Sequence, residues 1–343
     1  MSGILSDLEN FGKPEIITGT GELLEDRSAT GRVRPWSEHK MENQELVELL
    51  QVARGFDSSV ISDSRLLSVQ ECASWLKFAE QSDGRRKLAQ ANFCRLRLCP
   101  MCAWRRSLKL FAQVSKITDA IMADKKARFI FVTLTVRNVV GSELRDTIKL
   151  MNEGFKRFTS KGKGAIVASA RLRKNLLGYM KAIEVTYNVE RNDFHPHIHC
   201  IFEVSPDYFG GKERGYLTHS DWRLMWQSMM KLDYEPQVYV KAIKTDEREK
   251  AVAEVAKYPV KMDGLLKIKD KEQAAKALIR LKSAIHNCRL VTFGGDFRDY
   301  KRILALDDVE SGDLVHVETD NREMNIVAYM LFQYRADVGA YIC

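Results

Sequence analysis

The chain has 343 residues, 45% hydrophobic and 29% charged, which excludes collagen-like and wholly disordered classes and leaves room for two or three domains. Lys and Arg total 54 against 46 Asp and Glu, and the resulting charge of +8 favours a polyanionic partner. No apolar run approaches the roughly 18 residues of a membrane span and no signal-peptide pattern opens the chain, so a cytoplasmic protein without a membrane partner is expected.

Residues 1–35 are acidic, mixed and aperiodic and are expected to form a poorly ordered leader. Asn43–Phe56 reads as an amphipathic helix, and Cys72–Phe93 as a hairpin about Asp83-Gly84, a type I′ signal. Between Gly84 and Leu110 stand eight basic residues and no acid, as much net charge as the whole chain carries. Met101–Met122 is a long helix with Met101, Trp104, Leu108 and Phe111 on one side and Arg105, Arg106, Lys109 and Lys116 on another. Arg95 and Arg97 precede it, and these two with Arg105, Arg106 and Lys109 are the candidate DNA phosphate contacts.

The seven cysteines, an odd number, suit thiols or metal ligands in a reducing compartment better than a disulfide framework. Cys94, Cys99 and Cys102, with Cys72 from the hairpin, would make a closed tetrahedral Zn²⁺ site that serves folding. The competing reading is four buried thiols. Cys200 and Cys288 read as core residues and Cys343 as a terminal thiol.

Phe129–Val136 alternates, with Ile130, Val132, Leu134 and Val136 on an apolar face and Thr133 and Thr135 opposite, the pattern of a central strand. A helix over Ser142–Thr159 precedes strands Tyr179–Asn188 and Phe194–Val204, joined by a turn around Arg191-Asn192-Asp193. Further along come a helix near Ser220–Leu232, a strand near Gln237–Ile243, and helices over Glu247–Tyr258 and Lys271–His286. The expected class is α+β, a central antiparallel sheet flanked by helices.

The sharpest motif is His195-Pro-His-Ile-His199. Strand alternation places His197 and His199 on one face roughly 6–7 Å apart. In the preceding strand, Ile183, Val185 and Tyr187 share the core face, which puts Glu184 on the histidine face; a turn centred between Glu190 and Arg191 would set Glu184 directly opposite His197. Two imidazoles and a carboxylate with open positions suit Mg²⁺ or Mn²⁺, whereas the plain alternative is a surface histidine cluster beside a solvated glutamate. Glu254 and Tyr258 lie one helical turn apart, and Pro259 is expected to put a kink or helix end where the tyrosine ring is displayed, the plain alternative being an amphipathic tyrosine that packs its ring and wets its hydroxyl.

FVTLTVRN at 131–138, HPHIH at 195–199 and EVAKYPVK at 254–261, in this order, resemble the three motifs of rolling-circle replication initiators of Gram-positive plasmids, members of the HUH endonuclease superfamily. The likeness extends to RPWSEHK at 34–40, the cysteine run at 93–110 and FGG at 293–295, covering roughly residues 34–315. It implies the HUH fold, with His197, His199 and Glu184 as ligands of the catalytic metal, Tyr258 as the nucleophile that attacks DNA, and Glu254 acting in termination. It further implies that Thr133 and Thr135 contact the DNA backbone and that Lys261 matches a basic position near the nucleophile. The expected reaction is nicking at the double-strand origin through a 5′-phosphotyrosine, leaving a 3′-hydroxyl primer, with a second cleavage and strand joining at the end. Expected partners are origin DNA, as a hairpin or single strand, and a host helicase and DNA polymerase; the oligomeric state is left open, a dimer being one option.

On this reading the leader (1–35) precedes an N-terminal region with the zinc hairpin and basic helix (36–123), an endonuclease core (124–262) and a C-terminal helical and strand extension with origin binding as its candidate role (263–343). Two rivals are a mobilisation relaxase of the same chemistry, which would normally carry a large helicase or primase region, and a non-catalytic zinc-containing DNA-binding regulator. The regulator gives no reason for Glu184, the histidine strand and the Glu254/Tyr258 pair to occur together.

Overall fold

In the computed structural model, which describes residues 14–28, 30–159, 167–210, 215–257, 262–317 and 326–343, short strands interleave with helices. β1 (Glu15–Ile17) is followed by α1 (Trp36–Phe56), α2 (Asp63–Gln70), β2 (Trp75–Gln81), β3 (Arg86–Ala91) and α3 (Pro100–Asp124). Next come β4 (Arg128–Thr135), α4 (Leu144–Thr159), α5 (Val167–Asn175), β5 (Leu176–Asn188), β6 (Asp193–Val204), α6 (Asp207–Gly210) and α7 (His219–Met230). β7 (Val238–Ile243), α8 (Arg248–Ala256), α9 (Asp263–Leu266), α10 (Lys271–Ile285), β8 (Val291–Gly295), α11 (Asp296–Ile303), β9 (Ile326–Arg335) and β10 (Ala340–Ile342) complete the order. No helix among the described residues is long and apolar enough to cross a membrane.

The larger sheet runs β7-β4-β6-β5-β8, antiparallel throughout, so the strand expected from FIFVTLTV lies inside it. Its two faces follow from period-2 alternation. Ile130, Val132, Leu134, Ile183, Ile198 and Phe202 pack against α4 and α7 through Ile148, Phe155, Phe158, Trp222 and Trp226. On the reverse, Phe129, Phe131, Met180, Ala182 and Ile201 meet Leu110, Val114 and Ile117 of α3 and Val252, Val255 and Ala256 of α8. The result is an α+β core of three layers, in which burying one face of each strand fixes what the other presents.

The smaller sheet, β1-β9-β2-β3 with β10 also on β9, joins both ends of the chain to the cysteine hairpin. It is antiparallel except where β1 runs parallel to β9. The expected leader is therefore partly structured: Ile16 pairs with Tyr329, Leu23 bridges Ile342, and Asp26 accepts hydrogen bonds from Arg34 Nη1 at 2.8 Å and Trp36 Nε1 at 2.7 Å. The expected C-terminal extension divides between sheets, β8 completing the larger and β9 and β10 the smaller. At the β2-β3 turn only Gly84 is left-handed (φ +78°), with its N–H donating to Gln81 O. That is a type I turn closed by a left-handed glycine, in place of the expected type I′ turn, which needs two positive φ angles.

Candidate active site and metal centres

Pairing of β5 with β6 sets Glu184 opposite His197 and Asn188 opposite Asp193, the register that a turn centred between Glu190 and Arg191 requires. Asn192 takes φ +53° in that turn, and the Asn188 side chain accepts the Arg191 N–H at 2.8 Å. Glu184 Oε2 consequently lies 3.2 Å from His197 Nε2 and 3.0 Å from His199 Nε2, with all three residues buried. The second ring nitrogens are held from behind: His199 Nδ1 is 3.1 Å from Thr133 Oγ1, and His197 Nδ1 is 3.3 Å from the His195 carbonyl. With Nδ1 donating, each Nε2 carries a lone pair toward Glu184.

The donor set fits a divalent cation. Ligand atoms from the three residues lie within 4.8 Å of one another, and the 3.0 and 3.2 Å edges match the ~3.0 Å between neighbouring ligands of an octahedral ion bound at about 2.1 Å. His195 stacks on His197 with centroids 5.1 Å apart. Burial, then the His197 ring and Arg191, push its pKa below the usual imidazole value. Thr135 faces the same side of the sheet and donates to Gln237 O at 2.8 Å. Both threonines thus have protein partners on the metal face.

α8 crosses this face beside the site. Glu254, half-buried, lines a cavity of about 350 Å³ together with His199, Thr133, Phe131, Tyr239 and Lys250, and it is ion-paired with Lys257. Tyr258 and Lys261 lie outside the described residues.

The four cysteines meet as a second, fully buried cluster. Sγ separations are 3.6 Å for Cys72–Cys102 and Cys72–Cys99 and 3.7 Å for Cys94–Cys102. Zinc–sulfur bonds of about 2.3 Å imply tetrahedral edges of ~3.8 Å, so the set fits Zn²⁺. Four N–H groups point at the sulfurs: Cys94 N to Cys72 at 3.3 Å, Arg95 N to Cys102 at 3.2 Å, Leu96 N to Cys94 at 3.4 Å and Asn43 Nδ2 to Cys99 at 3.4 Å. Burial pushes the Cys99 and Cys102 thiols well up, while hydrogen bonds from Cys102, Cys72 and Cys99 hold Cys94 far down. Four sulfurs this close become thiolates together only around a cation. Lys40, buried nearby, donates to the Cys72 carbonyl at 2.8 Å and the Gln70 carbonyl at 2.9 Å.

The basic helix corrects an expectation. Arg105, Arg106 and Lys109 are only 3%, 1% and 3% exposed. Arg105 donates to Leu314 O and Val315 O at 2.9 and 2.7 Å, Arg106 to Arg95 O at 2.7 Å and Glu310 O at 3.3 Å, and Lys109 to Asp313 O at 2.8 Å and the Asp307 carboxylate. Arg97 binds the Ile285 and Cys288 carbonyls at 2.8 and 3.0 Å and the Glu310 carboxylate, and the exposed Arg95 binds Ser311 O at 3.0 Å. An irregular segment at 307–315 leaves its carbonyls without a ladder, and these cations satisfy them. Arg105, Arg106 and Lys109 are therefore internal clamps, not surface phosphate contacts; Arg95 also binds the 307–315 segment, and Arg97 joins Glu310 of that segment to the carbonyls at the end of α10.

Antiparallel sheets, flanking helices and two separate clusters able to hold metal define an α+β protein with two candidate metal centres of different chemistry, one sulfur-only and one of nitrogen and oxygen. Within that class the chain belongs to the replication protein family, whose match spans residues 85–342. A protein rep of Streptococcus pneumoniae serotype 2 is 35% identical over 307 residues, covering 89% of this chain and 90% of that relative. One from Lactiplantibacillus plantarum is also 35% identical, covering 86% and 90%, and one from Bacillus amyloliquefaciens is 34% identical, covering 91% and 94%. No solved structure matches the chain. The kinship suggested by the three motifs thus holds at the level of the family.

Sequence reasoning did not single out Tyr239, Lys250, Asn43 or Lys40. For Tyr239 a signal existed, because Val238 and Val240 alternate with it in β7 and leave the ring on the other face. For Asn43 and Lys40 there was none, since, apart from the bond Lys40 donates to Asn43 Oδ1, their partners lie between 26 and 56 residues away.

Proposed function

We propose that this replication protein nicks one strand at a plasmid double-strand origin, taking the 5′-phosphate onto Tyr258 and leaving a 3′-hydroxyl that primes rolling-circle synthesis, and that it ends the round by a second cleavage and strand joining. The observation that carries this reading is the hairpin that turns Glu184 onto His197 and His199 within 3.2 Å, beside a cavity that Glu254 also lines. A Mg²⁺ or Mn²⁺ held by these three side chains would withdraw charge from the scissile phosphate. Thr133 and the His195 carbonyl fix the imidazoles so that Nε2 faces the ligand position.

In sequence Tyr258 directly follows Lys257, the end of the described α8 segment. Its phenol oxygen forms the new bond to phosphorus as the bond to the 3′-oxygen breaks; the phenolic proton passes to solvent and the leaving oxygen takes one up. Bond energy is conserved, so no nucleotide cofactor is needed. Glu254 acts at termination by accepting a proton from the water that attacks the second phosphodiester. Zn²⁺ in the four-cysteine cluster has no open position and serves folding. The 3′-end calls for a host polymerase, and the displaced strand for a host helicase.

A 3′-end-labelled single-stranded origin fragment incubated with Mn²⁺ tests this on a denaturing gel. Wild type should give a labelled band at the mass of the protein, and Tyr258→Phe none. Glu254→Ala should still form the adduct on this fragment and, when a supercoiled origin plasmid is replicated with it in a host extract, accumulate products longer than one plasmid unit. An adduct of undiminished yield from Tyr258→Phe would overturn the assignment of the nucleophile.

A further inference from the structure

We propose that the cavity beside His199 is a nucleobase subsite for single-stranded DNA, with Tyr239 as its stacking platform and Lys250 as the cation for the adjoining phosphate. This deepens the cleavage reading above and rests on it for the identity of the strand. The placement follows from register: Tyr239 of β7 pairs with Thr133 of β4, which pairs with His199 of β6, so the three stand in one row on the metal face. β7 is an edge strand, so the outer side of that row is open.

Tyr239 is 54% exposed, and its hydroxyl has no hydrogen-bond partner among the described residues. Its ring is nevertheless held, with Phe131 edge-on at 6.1 Å and Phe131 in turn stacked on His199 at 5.8 Å. A fixed, exposed aromatic face beside the ligand set gives a base a surface to stack on at little ordering cost. Across the cavity, α8 presents Lys250, exposed and without an ion pair among the described residues, whereas Lys241 is engaged with Glu247 at 2.8 Å. The volume of about 350 Å³ lies at the small end of ligand cavities, the scale of one nucleotide. A base still paired in a duplex cannot enter, which selects single strands. Stacking reads no base edge, so the subsite tolerates any base.

The test is binding of fluorescein-labelled oligothymidylate by anisotropy with no Mg²⁺ or Mn²⁺ added, with the same label on a duplex as comparison. Tyr239→Ala and Tyr239→Leu should each weaken single-strand binding about tenfold, Tyr239→Phe should bind like wild type, and duplex binding should not change. Lys250→Ala should reduce the salt slope by about 0.7. Thermal melting of each variant separates lost stacking from lost folding. A Tyr239→Leu protein of wild-type stability that binds oligothymidylate normally overturns the proposal, as does a wild-type protein that does not bind it. Loss of binding by Tyr239→Leu with no covalent adduct from wild type would leave the subsite standing and the cleavage reading refuted.

Discussion

Lys181 illustrates how far a side chain can depart from its ordinary state in this core. It is 3% exposed on β5, donates to Asn152 Oδ1 at 2.6 Å and lies 4.6 Å from the Phe155 ring centroid. Burial pulls its pKa from 10.5 down to about 8. Below pH 8 native and unfolded chains both carry the charge and the native state bears the full desolvation penalty. As pH rises from 8 to 10.5 the native state releases its proton first, so stability rises with pH across that window. Lys181→Met should accordingly stabilise the protein by ~1–3 kcal/mol at neutral pH, a gain that denaturant unfolding should show shrinking toward pH 10.5. At this scale the clustering of the candidate ligands was legible, because alternation and one turn position suffice to bring Glu184 to His197. Arg105 and Arg106 were not: their carbonyl partners at Leu314 and Glu310 lie 209 and 204 residues away, and a basic helix face looks the same in sequence whether it meets DNA or its own chain.

Among elements, α3 and the 307–315 segment act as a unit. Arg106 is itself buried, and its bonds to the Arg95, Leu96 and Glu310 carbonyls are part-buried, so Arg106→Ala should cost about 1–3 kcal/mol in all as those carbonyls lose their donor. The expected outcome is a lower unfolding midpoint with an unchanged salt dependence of oligonucleotide binding; a reduced slope at full stability would return this residue to the DNA surface. The contact of α1 with α2 and with the start of α3 is likewise specific. Asn43 donates to Cys99 Sγ and, at 3.1 Å, to Val69 O. Asn43→Ala should weaken metal retention about 10- to 100-fold, as loss of an outer hydrogen bond does at other metal sites, measurable by competition with a chromogenic chelator. Elements with strong local patterns, β4, the β5-β6 hairpin, α7 and α10, were readable within a few residues. α2, α5, β8 and α11 were not anticipated, being short pieces whose position is set by what they pack on.

For the molecule as a whole, the two ends of the chain close the smaller sheet around the cysteine hairpin: β9 pairs with β2, Phe332 lies edge-on to Phe78 at 5.9 Å, and Tyr341 donates to Ala73 O at 2.7 Å. Such pairing across some 250 residues has no local signature, which is why the first and last segments looked featureless in sequence. It also ties the four-cysteine cluster to global stability. Purified protein should contain one zinc per chain by elemental analysis, and Cys99→Ser should release it and lower the unfolding midpoint, since a structural site contributes folding energy directly. A zinc-free wild-type protein of full stability would contradict that. The central claim concerns the other centre, that Glu184, His197 and His199 hold the cation for strand cleavage. The most direct measurement is nicking of a supercoiled origin plasmid in Mn²⁺ by wild type and by His199→Ala, with oligonucleotide binding measured on the same preparations. The account predicts that omitting Mn²⁺ or making the substitution abolishes nicking while binding persists; nicking that survives both would contradict it.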